Sequence, residues 1–355
     1  MRQIFTCIAL TCLIPMMAQN SPYISRVWEY QPAPGQFVNE LPEYEDGDDA
    51  NWMRLKAEEQ IADNNLGMIT LGGWGGYVVF GFDHMVVNRA NAMDLLVLGN
   101  AFYSDSGSDE DSQQGGSCEP GIVMVSYDAN GNGKPDDAWY ELAGSEYNNP
   151  QTIHGYEVTY YRPDESHVPT PSASNPALID TTYVRWEDNR NQSGYINQLT
   201  YHQQPYYPQW VEEESLTFSG SRLPDNYRDV AGDGSYYVLY AYPWGYADNH
   251  ANRSAKAQLD IDWAVNADGT PANLQGIHFV KVYTALHQQC GWLGETSTEI
   301  MGAEDLNLTS AVDYTFVGTA KRVYSVSGLY YGTELPKQKG VYIVHSNNEI
   351  QKIIR

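Results

Sequence analysis

The sequence predicts an all-β protein: a jelly-roll-like β-sandwich with long inserted loops, one short N-terminal helix and a small C-terminal β module. Three observations predict it. Short runs rich in Val, Ile, Tyr and Trp recur along the chain, separated by clusters of Gly, Asn, Asp and Pro that supply turn chemistry. Only one stretch carries a convincing helical pattern. Sequential hairpin signals are interrupted by a long excursion near residues 148–255, the kind of insertion a jelly roll places between its strands.

The first 19 residues read as an export signal: Arg2, the apolar run Ile4 to Leu13, and small-residue cleavage chemistry at Ala18. That run is too short to span a bilayer, and no other stretch is long and apolar enough. Ser25 to Asn39 reads as a strand broken by Pro32, Pro34 and Gly35. The helical pattern covers Asn51 to Leu66, with Met53, Leu55, Ile61 and Leu66 as the expected buried positions and a cap among Asp48 to Asn51. Met68 to Val87 and Met93 to Phe102 are strand-like. The run Gly72-Gly73-Trp74-Gly75-Gly76 lacks dinucleotide-loop spacing and is expected to let the backbone bend or approach a neighbour closely. Asp83-His84 reads as a structural pair.

Glu119 to Tyr147 carries the strongest signals. Ile122 to Tyr127 is a continuous apolar run of the kind a strand buried on both faces shows, and Trp139 to Leu142 resumes the strand pattern. Between them lies an oxygen-rich loop whose spacing matches a calcium loop in part. Asp128, Asn130, Asn132, Lys134, Asp136 and Asp137 are its candidate metal residues, with Gly131 and Gly133 for the turn. Trp139 stands where the bidentate Glu belongs, so the missing carboxylate falls to Asp137, Glu141 or the distant Glu119. The acidic loop Ser104 to Ser117 offers further oxygens at Asp105, Asp109 and Asp111.

Tyr156 to Pro163 reads as a strand and Pro163 to Pro176 as a loop. From Tyr183 to Tyr246 the chain is dense in aromatic and amide side chains, and Trp186, Tyr206, Tyr207, Trp210, Trp244 and Tyr246 are the candidate ligand-binding rings. Lys256 to Val265 and Ile277 to Leu286 alternate as strands, and Gly291 to Leu308 closes the unit with Glu295, Glu299, Glu304 and Asp305 clustered in sequence.

Composition excludes some partners. Forty-five acidic against twenty basic residues give a formal charge of −25, which repels phosphate backbones and argues against nucleic acid. Cys7 and Cys12 leave with the signal, so Cys118 and Cys290 make at most one disulfide, or stay as two buried thiols. The chain holds 28 Tyr and 9 Trp against 8 Phe, so its aromatic surface is mostly amphipathic. There is no Gly-x-Ser-x-Gly elbow, no His-Glu-x-x-His and no phosphate loop. A carboxylate pair of the glycosidase kind needs only proximity in space, with Glu295 and Glu299 as candidates.

The segments PAPGQFVN, GGWGGYVVFGFDHMVVN, LGNAF, EPGIVMVSYDANGNGKPDDAWYELAGSEY and GWLGETSTEIMGAEDLNL resemble an uncharacterised family of Bacteroidetes cell-surface proteins. The resemblance covers nearly all of residues 22–308. It implies a secreted, surface-exposed β-sandwich, often encoded near outer-membrane uptake and cobamide-capture genes, and it brings no catalytic residues. The final stretch is similar to the C-terminal sorting domain of type IX secretion, with Gly328 and the KGVYIV strand where that pattern has them.

The expected organisation is thus a signal over 1–19, a β-sandwich ligand-binding domain over 20–310 and a C-terminal sorting-like module over 311–355. The expected function is capture of a glycan or cobamide-like ligand at the cell surface, with possible outer-membrane uptake partners and a structural calcium ion. A carboxylate-pair glycoside hydrolase and a structural or adhesive protein are the alternatives.

Overall fold

The computed structural model describes residues 20–104, 113–308, 322–325, 330–332, 341–346 and 349–354. The expected export signal, the loop carboxylates Asp105, Asp109 and Asp111, and Gly328 lie outside the described residues. The chain divides into two compact units, Met1–Leu308 and Thr309–Arg355.

The first unit is β-rich. Its elements in order are β1 (Arg26–Gln31), α1 (Ala50–Ile61), β2 (Ile69–Thr70), β3 (Tyr77–Val87), β4 (Leu95–Leu98), β5 (Phe102–Tyr103), β6 (Gly115–Ser117), β7 (Gly121–Ser126) and β8 (Trp139–Leu142). There follow β9 (Ile153–Tyr161), β10 (Leu178–Asp188), β11 (Ser193–Leu199), β12 (Ser215–Arg222), β13 (Tyr227–Asp229) and β14 (Tyr237–Tyr240). The unit ends with β15 (Gln258–Leu259), β16 (Ala264–Val265), β17 (Gly276–Thr284), β18 (Glu299–Ile300) and β19 (Gly302–Asp305). No described helix is long and apolar enough to cross a membrane.

A six-stranded antiparallel sheet, β1-β3-β17-β7-β8-β16, organises this unit. The expected central hairpin is there: Met124 pairs with Glu141, Val125 with Tyr140 and Ser126 with Trp139. Ile122, Val123 and Val125 are all fully buried, so β7 presents apolar side chains to both faces, as its unbroken hydrophobic run requires. On one side Ile24, Val27, Met53, Ile61, Leu95, Val125, Leu259 and Val280 belong to a single core cluster that packs α1 against the sheet.

Four smaller sheets complete the unit: β11-β10-β9-β12, β13-β14-β6-β5, β15-β4-β19 and β18-β2. A jelly roll needs two facing sheets. One larger sheet with several small ones departs from that expectation and lies nearer to the many-sheet plan of a propeller. The excursion at 148–255 is correspondingly not a set of loops. It contributes β9 to β14, and β14 pairs with β6 outside it, which joins it to the body by backbone hydrogen bonds.

Other local expectations were revised by packing. The helix stops at Ile61, with Asp49 capping its start by accepting from the Trp52 N–H. Met53, Ala57 and Ile61 are its buried residues, whereas Leu66 lies beyond it at φ 55° and 54% exposed. Residues 256–265 alternate in the sequence like a strand, but two single 3-10 turns, Ala255–Ala257 and Ile261–Trp263, break them into two-residue pieces. Asp260 caps the second turn through the Asp262 N–H. Cys118 and Cys290 are both free and buried.

The glycine run does what its composition demands. A Cβ on Gly72, which sits at φ 65°, would lie 1.9 Å from the Ala33 carbonyl oxygen, and one on Gly76 would lie 1.9 Å from the Leu71 carbonyl oxygen. Only a residue without a side chain permits this backbone-on-backbone contact. Asp83-His84 is a structural pair extended by a third member: His84 Nδ1 lies 2.7 Å from Asp83 and its Nε2 lies 2.9 Å from Asp305.

The second unit is a four-stranded antiparallel sheet in the order β21-β20-β22-β23, from β20 (Arg322–Ser325), β21 (Tyr330–Gly332), β22 (Val341–Ser346) and β23 (Glu349–Ile354).

Candidate functional site: a cleft floored by carboxylates

Four acidic residues from three separate parts of the chain converge at the N-terminal end of β7. Backbone hydrogen bonds between Gly121 and Ala247, in both directions, and from the Glu119 N–H to the Asp248 carbonyl zip residues 119–121 to residues 247–248. Asp248 sits at φ 50°, and its carboxylate accepts from the Ala101 N–H at 2.7 Å and the Glu299 N–H at 3.1 Å. It thereby ties together the segments after β4, before β7 and in β18. Glu299 accepts from the Thr70 hydroxyl at 3.1 Å and the Ser297 hydroxyl at 2.5 Å, and Glu119 from the Ser117 hydroxyl at 3.0 Å. Ligand oxygens of Glu119, Asp248 and Glu299 all lie within 4.8 Å of one another, the one such grouping among the described residues.

Glu295 is the fourth. It is 4% exposed. Its Oε1 accepts from the Gln36 N–H at 2.5 Å, while its Oε2 is buried with no hydrogen-bond partner among the described residues. Gly35 makes room for it, since a Cβ there would stand 2.6 Å from Glu295 Oε1.

The electrostatics follow from burial. Burial, then repulsion from Glu299 and Asp248, lifts the Glu119 carboxyl well above its ordinary value. Asp248 is raised by burial and by Glu299 against the N–H groups it accepts from. Burial pushes Glu295 up to about 8 against the opposing Gln36 N–H. It pushes Glu299 up to about 7 against hydrogen bonds from Ser297, Thr70 and Asn100. None of the ion pairs found among the described residues includes any of the four. The group therefore carries an uncompensated tendency to bind a proton, a cation or a hydrogen-bond donor.

Glu119, Glu295 and Glu299 line a cavity of about 320 Å³ whose other walls include Gln36, Phe37, Tyr201 and Trp292. A second, larger concavity of about 980 Å³ shares Tyr201 and Trp292 with it, so the two rings stand on the border of an acidic pocket and a broader groove. Tyr201 is 69% exposed and Trp292 38%. The Trp292 indole N–H donates to the Ser235 carbonyl at 3.1 Å, which fixes the ring while leaving a face available.

The rings expected to bind ligand are placed elsewhere. Tyr206, Tyr207, Trp210 and Tyr246 are buried, and they correct the expectation of an outward aromatic surface. Tyr206 donates to the His202 carbonyl and accepts from the Leu199 N–H, and Tyr207 donates to the Glu213 carbonyl. Trp186 is half-buried against His287 at 4.4 Å between ring centroids. Trp244 remains 38% exposed, packed on Trp263 at 4.6 Å.

The oxygen-rich loop closes on itself. Asp128 accepts from the Asn132 and Gly133 N–H groups, Asp137 from the Ala129 N–H, Asp136 from the Asn130 and Asn132 amides, and Asn132 from the Lys134 N–H. Glu119 lies at the other end of β7, and six residues of strand span about 20 Å. The structure thus groups Glu119 with Asp248, Glu295 and Glu299 and not with the loop. Glu295 and Glu299 were visible in the sequence through carboxylate density alone. Asp248 and Trp292 were missed, although Asp248-Asn249-His250, three polar residues in an aromatic stretch and all buried, was a usable signal.

No known protein-family model matches the chain, and no curated protein matches it.

Proposed function

We propose that this chain is a secreted cell-surface binding protein that captures a glycan in the cleft between Tyr201 and Trp292. The single observation that carries the reading is the junction of an acidic pocket with a broader groove at two exposed aromatic rings. Ring faces stack on the apolar faces of sugars, and carboxylates and amides such as Glu119, Gln36 and Asn100 accept from or donate to hydroxyls. A flat, hydroxyl-rich ligand satisfies both kinds of wall. In this reading residues 1–19 direct export and residues 311–355 serve as a sorting module of the type IX kind, delivering the cleft to the outer-membrane exterior beside uptake components.

Calorimetric screening of the full chain against glycan and cobamide panels tests it. A glycan is expected to bind, with Trp292→Ala and Tyr201→Ala each weakening affinity roughly ten-fold, about 1.4 kcal/mol. Binding of cobamides alone would replace the ligand class, and silence across both panels would remove the capture role.

A second reading, a carboxylate-pair glycoside hydrolase, is favoured by one observation: Glu295 and Glu299 share a pocket wall, and burial keeps Glu295 largely protonated near neutral pH, as a general acid must be. It predicts product release from polysaccharides that Glu295→Gln and Glu299→Gln abolish. Turnover undiminished in both variants would eliminate that pair.

A further inference from the structure

We propose that Glu119, Asp248 and Glu299 form a site for one hard divalent cation, calcium by its chemistry, at the floor of the cleft. The three carboxylates are close enough to share one ion. Calcium holds oxygens at about 2.4 Å, so its ligands lie at most about 4.8 Å apart, and all three carboxylates fall within that limit of one another.

The donor set selects the metal class. It is all oxygen, with no imidazole or thiolate among the three, and hard oxygen donors suit calcium or magnesium over zinc or copper. Cys118 and Cys290 are both buried free thiols, and neither belongs to this grouping. The carboxylates are also oriented by neighbours. Ser117 donates to Glu119, Thr70 and Ser297 to Glu299, and two backbone N–H groups to Asp248, the outer support a metal site uses to fix its ligands.

A separate observation points to a bound ligand. Glu295 lines the same cavity, and its Oε2 is buried with no hydrogen-bond partner among the described residues. A buried polar atom left unpaired costs about 1–3 kcal/mol. A cation beside it, or a water held by that cation, supplies the missing partner. The oxygen-rich loop at Asp128 to Asp137 has no such orphan, since its own N–H groups and amides take up its carboxylates. The cation site does not depend on the glycan reading.

The test is a calorimetric titration of calcium into chelator-treated full chain, with thermal melts beside it. Wild type and the loop variant Asp128→Asn/Asp136→Asn are expected to take up one calcium at a shared affinity and to melt higher with it. Glu119→Gln and Glu299→Gln are expected to bind at least about ten-fold more weakly. Circular dichroism checks that each variant is folded, and half-buried Glu119 decides the matter if Glu299→Gln does not fold. No uptake by wild type at millimolar calcium, the range of weak extracellular modules, would overturn the proposal. So would uptake abolished in the loop variant and intact in Glu119→Gln. Glycan binding is scored separately, so a chain that binds calcium and no sugar keeps this site and loses the other reading.

Discussion

His287 shows how a residue's neighbours decide its chemistry. It packs at 4.4 Å from the Trp186 ring and holds Nδ1 3.0 Å from the Tyr156 hydroxyl. Burial, with Arg222 adding to it, pushes its pKa down to about 3. The unfolded chain takes up this proton near 6.5 and the folded one only near 3, so the stability contributed by the neutral ring is full above about 6.5 and is lost as pH falls toward 3. We expect His287→Gln to lose less stability than wild type between pH 7 and pH 4.5 in urea melts. An equal loss would show that protons at other sites set the acid sensitivity. Tyr201 and Tyr206 make the complementary point about what a sequence reveals. They are five positions apart and alike in type, yet one is 69% exposed and the other is fully buried. Residue type told us that rings and carboxylates were abundant. Which way each faced depended on strands roughly 180 residues apart in the chain, such as those bringing Glu119 to Glu299, and no local pattern encodes that.

At the scale of elements, the legible features were those set by local physics. The β7–β8 hairpin, the start of α1 and the glycine run follow from an apolar strand, an Asp cap and backbone crowding, each readable over a few residues. The segment 256–265 was misread because two Ser and Asp caps, at Ser254 and Asp260, redirect an alternating pattern into 3-10 turns. Gly76→Ala should destabilise the unit by about 1–3 kcal/mol or more, because the added methyl meets fixed backbone and not a movable side chain. A urea melt within about 0.5 kcal/mol of wild type would contradict that packing. In the neighbouring hairpin, Asp128→Ala removes the acceptor for two loop N–H groups. It should loosen that loop while leaving affinity for any cleft ligand unchanged, which the same calorimetric titration checks.

Across the whole first unit, the arrangement matters more than any single sheet. The excursion at 148–255 supplies Tyr201 and Asp248, the central hairpin supplies Glu119, and the segment from 291 to 300 supplies Trp292, Glu295 and Glu299. The cleft exists only where these three parts of the chain meet, which is why the all-β class was legible and the site was not. The most direct test is a crystal structure of the full chain with the glycan that it selects from the panel. Sugar rings are expected against Trp292 and Tyr201, with hydroxyls directed at the carboxylates below. Sugar lying instead on Trp244, which is 38% exposed, with the acidic cleft unoccupied, would contradict it.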